Sequence, residues 1–169
     1  MENAYQPEAW HNLYVMLGGS TAALTGLLFV ATSLHLDDIM KVPLLRIFAR
    51  NNTIAMMDLV IRAAVILVPQ NPILLAGELI VINIFGVVMV LNVLIRHDRK
   101  TPWGRQLRAG AVGLSCLLGM VGALSLLIQS GGGMYVITAA YLIFLCLTVS
   151  SAWVLMVGVY QPDHASELL

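Results

Sequence analysis

Five long apolar runs, joined by segments that are either very short or basic, constrain this chain more than any other feature. A helix needs roughly 20 apolar residues to cross about 30 Å of hydrocarbon. The stretches Leu13–Leu34, Thr53–Pro69, Pro72–Ile95, Leu107–Ile128 and Met134–Tyr160 answer to that need, the second being the shortest. They predict an all-α, polytopic transmembrane helix bundle of about five spans, with residues 1–169 forming one transmembrane domain. Composition agrees. The chain is 59% hydrophobic and 11% charged, where soluble domains are roughly 45–50% apolar and about 25% charged. Met1–Asn12 holds two glutamates and no Lys or Arg. A secretory signal begins with a basic region, so the first run reads as a retained helix.

Orientation follows from where the basic side chains fall. Lys41, Arg46 and Arg50 lie between the first two runs, and Arg96, Arg99, Lys100, Arg105 and Arg108 between the third and fourth. With five spans all of these share one side, and the opposite side has none. Lys and Arg concentrate in cytoplasmic loops, so the N-terminus is expected outside and the C-terminus in the cytoplasm. The aromatics fit two interfacial belts, with Tyr5, Trp10, Tyr14 and Tyr135 outside and Trp103, Trp153 and Tyr160 inside. Pro43–Arg50 is amphipathic, with Arg46 and Arg50 on one face and Pro43 suited to a first helical turn. It is expected as a short cytoplasmic interfacial helix between spans 1 and 2, running into the second span.

The ninth basic residue, Arg62, falls inside the second run, as does Asp58, and Glu78 falls inside the third. Insertion scales charge about 2.5–3.5 kcal/mol for an Asp or Arg at a helix centre and credit about 0.3–0.6 kcal/mol for each Leu, Ile, Phe or Val. The second run is therefore marginal alone, and its charges must face protein or water. Asp58 is four residues before Arg62 on the same helical face. Arg62 and Glu78 both lie roughly 9–11 Å below the Pro69–Pro72 turn at 1.5 Å per residue. An Asp58–Arg62–Glu78 cluster across that hairpin is the expectation, with Asn92 on the Glu78 face. Asn83 matches Asp58 in depth but sits about 140° round the helix from Glu78, which assigns it to another contact. Such a cluster either fixes the register of two helices or lines a path for an ion or proton.

Small residues recur at four-residue spacing in two runs: Gly18, Ala22 and Gly26 in the first, and Ser115, Gly119 and Ala123 in the fourth. Small faces let membrane helices approach closely. They serve packing within the chain or an interface between copies. No metal site is expected. The candidates that come nearest to one are His35, Asp37, Asp38 and His97 at the cytoplasmic ends of spans. Cys116 and Cys146 lie within apolar runs as buried thiols. P-loop, HExxH and GxSxG motifs are absent, and no basic stripe interleaved with aromatics is present. The chain reads as a non-enzyme without cofactor or nucleic-acid partner.

Ala9-Trp10-His11, the run from Gly18-Gly19-Ser20-Thr21 to Phe29-Val30-Ala31, Ser33-Leu34, the Gly77-Glu78 step, Gly132-Gly133-Met134-Tyr135 and Ala152-Trp153-Val154-Leu155 are a recognisable set. Together they resemble small, uncharacterised bacterial multi-span inner-membrane proteins, some of them automatically labelled modulator of FtsH protease. The resemblance implies a bacterial inner (cytoplasmic) membrane setting and transfers no functional residues. The functional expectation is a non-catalytic accessory or regulatory protein in the membrane plane, its partners being the lipid bilayer and another membrane protein or its own copies. The alternative is a small homo-oligomeric ion channel or transporter using the Asp58, Arg62 and Glu78 cluster.

Overall fold

The computed structural model describes residues 5–95 and 103–160; for residues 44, 92–95, 103–109 and 158–160 it describes the backbone. All regular structure among the described residues is helical. A 3-10 turn at Pro7–Trp10 leads into α1 (His11–Leu34), followed by α2 (Leu36–Lys41), α3 (Pro43–Leu67), α4 (Pro72–Ile95), α5 (Trp103–Ile128) and α6 (Gly133–Tyr160).

Prolines set several of these boundaries. A residue before proline is pushed out of the helical region. Val42, before Pro43, is extended at φ −109° and ψ 108°, which ends α2. Pro43 then opens α3, where its missing N–H costs nothing. Val68, before Pro69, is extended in the same way and ends α3. Across the turn, Asn71 caps α4: its Oδ1 accepts the backbone N–H of Ile73 at 3.1 Å. The α5–α6 turn is tight because Gly131 and Gly132 take φ of 85° and 78°, a region glycine enters without steric cost.

Pro43–Arg50 is helical and runs on into the second apolar run as expected, and a separate short helix precedes it. That short helix is Leu36–Lys41, and Pro43–Arg50 forms the first turns of the continuous 25-residue α3. The break falls at Val42 because the Val-Pro step interrupts the helix before Pro43 and nothing interrupts it after.

α1 packs on α3, α3 on α6, and α5 lies between α4 and α6. Two core clusters mark the two ends of the bundle. One gathers Tyr14 and Leu17 of α1, Ala63 and Ile66 of α3, Leu75 of α4, Leu126 of α5 and Met134 of α6. The other gathers Leu28, Ile39, Leu45, Ala49, Met56 and Leu155. Starts of α1, α4 and α6 thus share an end with the finishes of α3 and α5. Tyr5 reaches across this end, its hydroxyl accepting the backbone N–H of Gly132 at 3.0 Å. Trp10 meets Tyr135 edge-on at 4.7 Å between ring centroids.

The outside of the bundle is apolar: Leu27 is 67% exposed and Trp153 72%. Among the described residues, four helices are long and apolar enough to cross a membrane, within Pro7–Leu34, Pro72–Leu91, Gly110–Ile128 and Gly133–Val157. α3 matches them in length and is not among the four, which fits the cost of Asp58 and Arg62. The chain is therefore an all-helical membrane protein.

The small-residue stripes divide. Ser115, Gly119 and Ala123 of α5 are buried within the chain. On α1 only Gly18 is used, a Cβ there lying 3.0 Å from Ala63 Cβ. Ala22 and Gly26 are exposed. Each four-residue step drifts about 40° round a 3.6-residue helix, and the buried line of α1 follows Tyr14, Leu17, Thr21 and Leu28 instead.

Candidate functional site

The polar residues of the interior meet near the middle of α3. Asp58 and Arg62 are one helical turn apart, and Arg62 Nε donates to Asp58 Oδ2 at 2.6 Å. Their side chains are 19% and 10% exposed, so the pair is largely withdrawn from solvent. Arg62 Nη1 donates to Asn83 Oδ1 on α4 at 2.9 Å. Asn83 Nδ2 donates back to Leu79 O at 2.8 Å, which fixes the amide with its oxygen toward the guanidinium. The Phe144 ring of α6 lies 5.9 Å from Arg62 Cζ, within reach of a cation–π attraction. One guanidinium therefore ties α3 to α4 and α6.

The expected cluster is half right. Asp58 and Arg62 are joined, but Glu78 is exposed, and its Oε2 accepts from Gln70 Nε2 at 2.8 Å. Asn83 takes its place. Depth places Glu78 level with Arg62 and Asn83 level with Asp58, and the sequence reading assigns Asn83 to another contact. Glu78 and Asn83 are separated by about 140° round the helix, so only one can face α3, and that phase is set by α5. Gly119 packs directly beneath Asn83, where a Cβ would come within 2.6 Å of Oδ1. The Asn92 side chain lies outside the described residues.

A second polar chain joins α1, α6 and α3. Thr21 Oγ1 lies 2.7 Å from Leu17 O and 3.0 Å from the Tyr141 hydroxyl, which lies 3.2 Å from Leu59 O. Two hydroxyls supply two protons for these three contacts. The short Thr21–Leu17 contact takes one, and Tyr141 shares the other between Thr21 and Leu59. Nearer the N-terminal end, the Tyr14 hydroxyl meets Thr138 Oγ1 at 3.0 Å. Sequence reasoning placed Tyr14 in an outer aromatic belt, whereas it is fully buried, and passed over the other hydroxyls. Their signal was present as buried-span Thr and Tyr among aliphatic residues, which in a bilayer must find partners.

A small cavity of about 20 Å³ lies beside the guanidinium. Arg62, Asn83, Ser115, Cys116, Tyr141 and Phe144 contribute to its mainly apolar lining. That volume is of the order needed for one water molecule. Cys116 is buried there, whereas Cys146 is exposed on α6, against the expectation of two buried thiols.

Of the residues named as nearest to a metal site, the described ones form no metal-binding group. Asp38 accepts from Lys41 Nζ at 2.7 Å, which holds its carboxyl below the usual aspartate range and raises Lys41. His35 Nδ1 lies 3.1 Å from Ala31 O, and Asp37 is exposed. Among the described residues no three metal-ligating side chains cluster, and His97 lies outside them.

No family model, curated protein or solved structure matches the chain. The site must be interpreted from its own chemistry.

Proposed function

We propose that this chain is a five-span protein of the bacterial inner membrane, N-terminus outside and C-terminus cytoplasmic, acting non-catalytically as an accessory or regulatory partner in the membrane plane. The inner-membrane setting rests on the sequence resemblance described above. The fifth span is α3. Its support is that α3 runs antiparallel along α1 for most of its length, from Ala63 beside Gly18 to Ala49 in the cluster with Leu28. The orientation rests on the Lys and Arg placement.

One observation carries the accessory reading over permeation: the buried guanidinium is enclosed. Asp58, Asn83 and Phe144 engage it, the adjoining cavity is small and mainly apolar, and Glu78 is not part of it. A conduction path needs polar sites in series that an ion can enter and leave. A paired charge packed by aliphatic side chains instead fixes helix register. The test is flux. Purified protein in vesicles loaded with proton- and potassium-sensitive dyes is expected to leak no faster than protein-free vesicles. Protein-dependent flux abolished by Asp58→Asn would overturn this reading in favour of a channel or transporter.

A further inference from the structure

Glu78 is an acidic side chain on an outward face of α4, well inside a helix long and apolar enough to span a membrane. Leu74, Gly77, Glu78, Val81, Phe85 and Val88 are all exposed and recur three or four residues apart, so they form one stripe along α4. The stripe is otherwise greasy, with Leu74 63%, Val81 67% and Phe85 59% exposed. Glu78 lies six residues beyond Pro72, about 9 Å along the axis. α4 is about 36 Å long against roughly 30 Å of hydrocarbon, so a centred helix holds Glu78 about 6 Å inside the apolar layer. Gln70 supplies a neutral amide to Oε2, and Oε1 accepts no hydrogen bond among the described residues. Ionisable groups at such depth normally face protein or water. Beside it, Gly77 has open space where a Cβ would be, so another backbone can come close.

We propose that this face of α4 docks a transmembrane helix of a different membrane protein, one that brings a lysine or arginine to the depth of Glu78. Charge decides between occupants. A second copy related by a twofold axis through this stripe would bring two Glu78 carboxylates together, and like charges repel. A basic side chain supplies what Gln70 cannot, and the aliphatic residues on either side bury the partner's helix. This surface rests on the accessory reading and gives it a partner chemistry.

The probe is a synthetic Leu/Ala transmembrane peptide carrying a single lysine at the depth of Glu78, compared with the same peptide carrying leucine there. Full-length protein and peptide are reconstituted in phosphatidylcholine vesicles and association is read by energy transfer. The lysine peptide is expected to bind roughly tenfold more tightly than the leucine peptide. Glu78→Gln should remove that preference while circular dichroism and melting stay unchanged. Equal binding of the two peptides, or a preference that survives Glu78→Gln, overturns the proposal. So does loss of the preference when phosphatidylethanolamine is added, since the carboxylate is then a headgroup contact. Flux is measured on the same vesicles. A protein that conducts nothing and ignores the lysine peptide loses this surface and keeps the accessory reading.

Discussion

Gly119 holds Asn83 in place by leaving room for it. A Cβ at 119 would sit 2.6 Å from Asn83 Oδ1, the atom that receives Arg62 Nη1. The polar contact between α3 and α4 is thus conditional on a small residue from α5. Gly119→Ala is expected to displace Asn83 and cost about 1–3 kcal/mol, the usual range for overpacking a tight interior. Thermal unfolding in detergent measures this. Asn83→Ala in the Gly119→Ala background should cost less than either change predicts by addition, because the clash and the lost bond share one atom.

Arg62→Ala should be the most damaging single change in the polar centre. It leaves the half-buried Asp58 without its cation; breaking a fully buried pair on one side costs roughly 3–5 kcal/mol, and this partly exposed one should fall toward the lower end. Asp58→Asn added to Arg62→Ala should recover part of that loss. A double variant no more stable than Arg62→Ala would mean that Asp58 reaches water. Glu78→Gln, by contrast, is expected to leave the melting temperature unchanged, since the exposed Glu78 carboxylate is hydrogen-bonded only by half-buried Gln70.

Tyr141→Phe and Thr21→Val remove protons from one shared chain, so their effects are coupled. Hydrogen bonds between membrane helices average about 0.6 kcal/mol and reach about 1.7 kcal/mol. Each single change should fall in that range, and the double-mutant cycle should show the second loss to be smaller than the first. Strict additivity would mean that Tyr141 and Thr21 bond to their backbone carbonyls and not to each other.

Topology can be read by chemistry from one side of the membrane. In a background lacking Cys116 and Cys146, cysteine placed at Asn3 or Ser130 should react with an impermeant reagent added outside. Cysteine at Lys41, Lys100 or Ser166 should react only after the membrane is opened. Labelling of Lys100→Cys from outside would refute the five-span orientation.

What could be read in advance divides along a physical line. Helix existence, hairpin turns and the Asp58–Arg62 pair depend on local geometry: apolar length, prolines, and a four-residue spacing on one helix. Those were legible. The partner of Arg62 on α4 depends on the rotation of one helix about its own axis. Depth arguments pair Glu78 with Arg62 and Asn83 with Asp58, and only the packing of α5 at Gly119 turns Asn83 inward. The α1 stripe failed for the same reason. Four-residue spacing of Gly18, Ala22 and Gly26 marks a face without saying where along it α3 departs. The second run was the weakest of the five, and α3 is not among the described helices apolar enough to span; Pro43–Arg50 runs into it as one helix, as expected.

The placement of the Arg62 partners also bears on how the chain enters the membrane. Synthesis runs from the N-terminus, so α3 emerges when only Asp58 can answer its guanidinium. Asn83 follows 21 residues later, and Phe144 arrives on the last helix. α3 is thus the helix least able to hold its own position at birth, and its settled place depends on sequence not yet made. A nascent chain halted before α4 should leave this segment exposed to quality-control proteases, whereas one released after α6 should not.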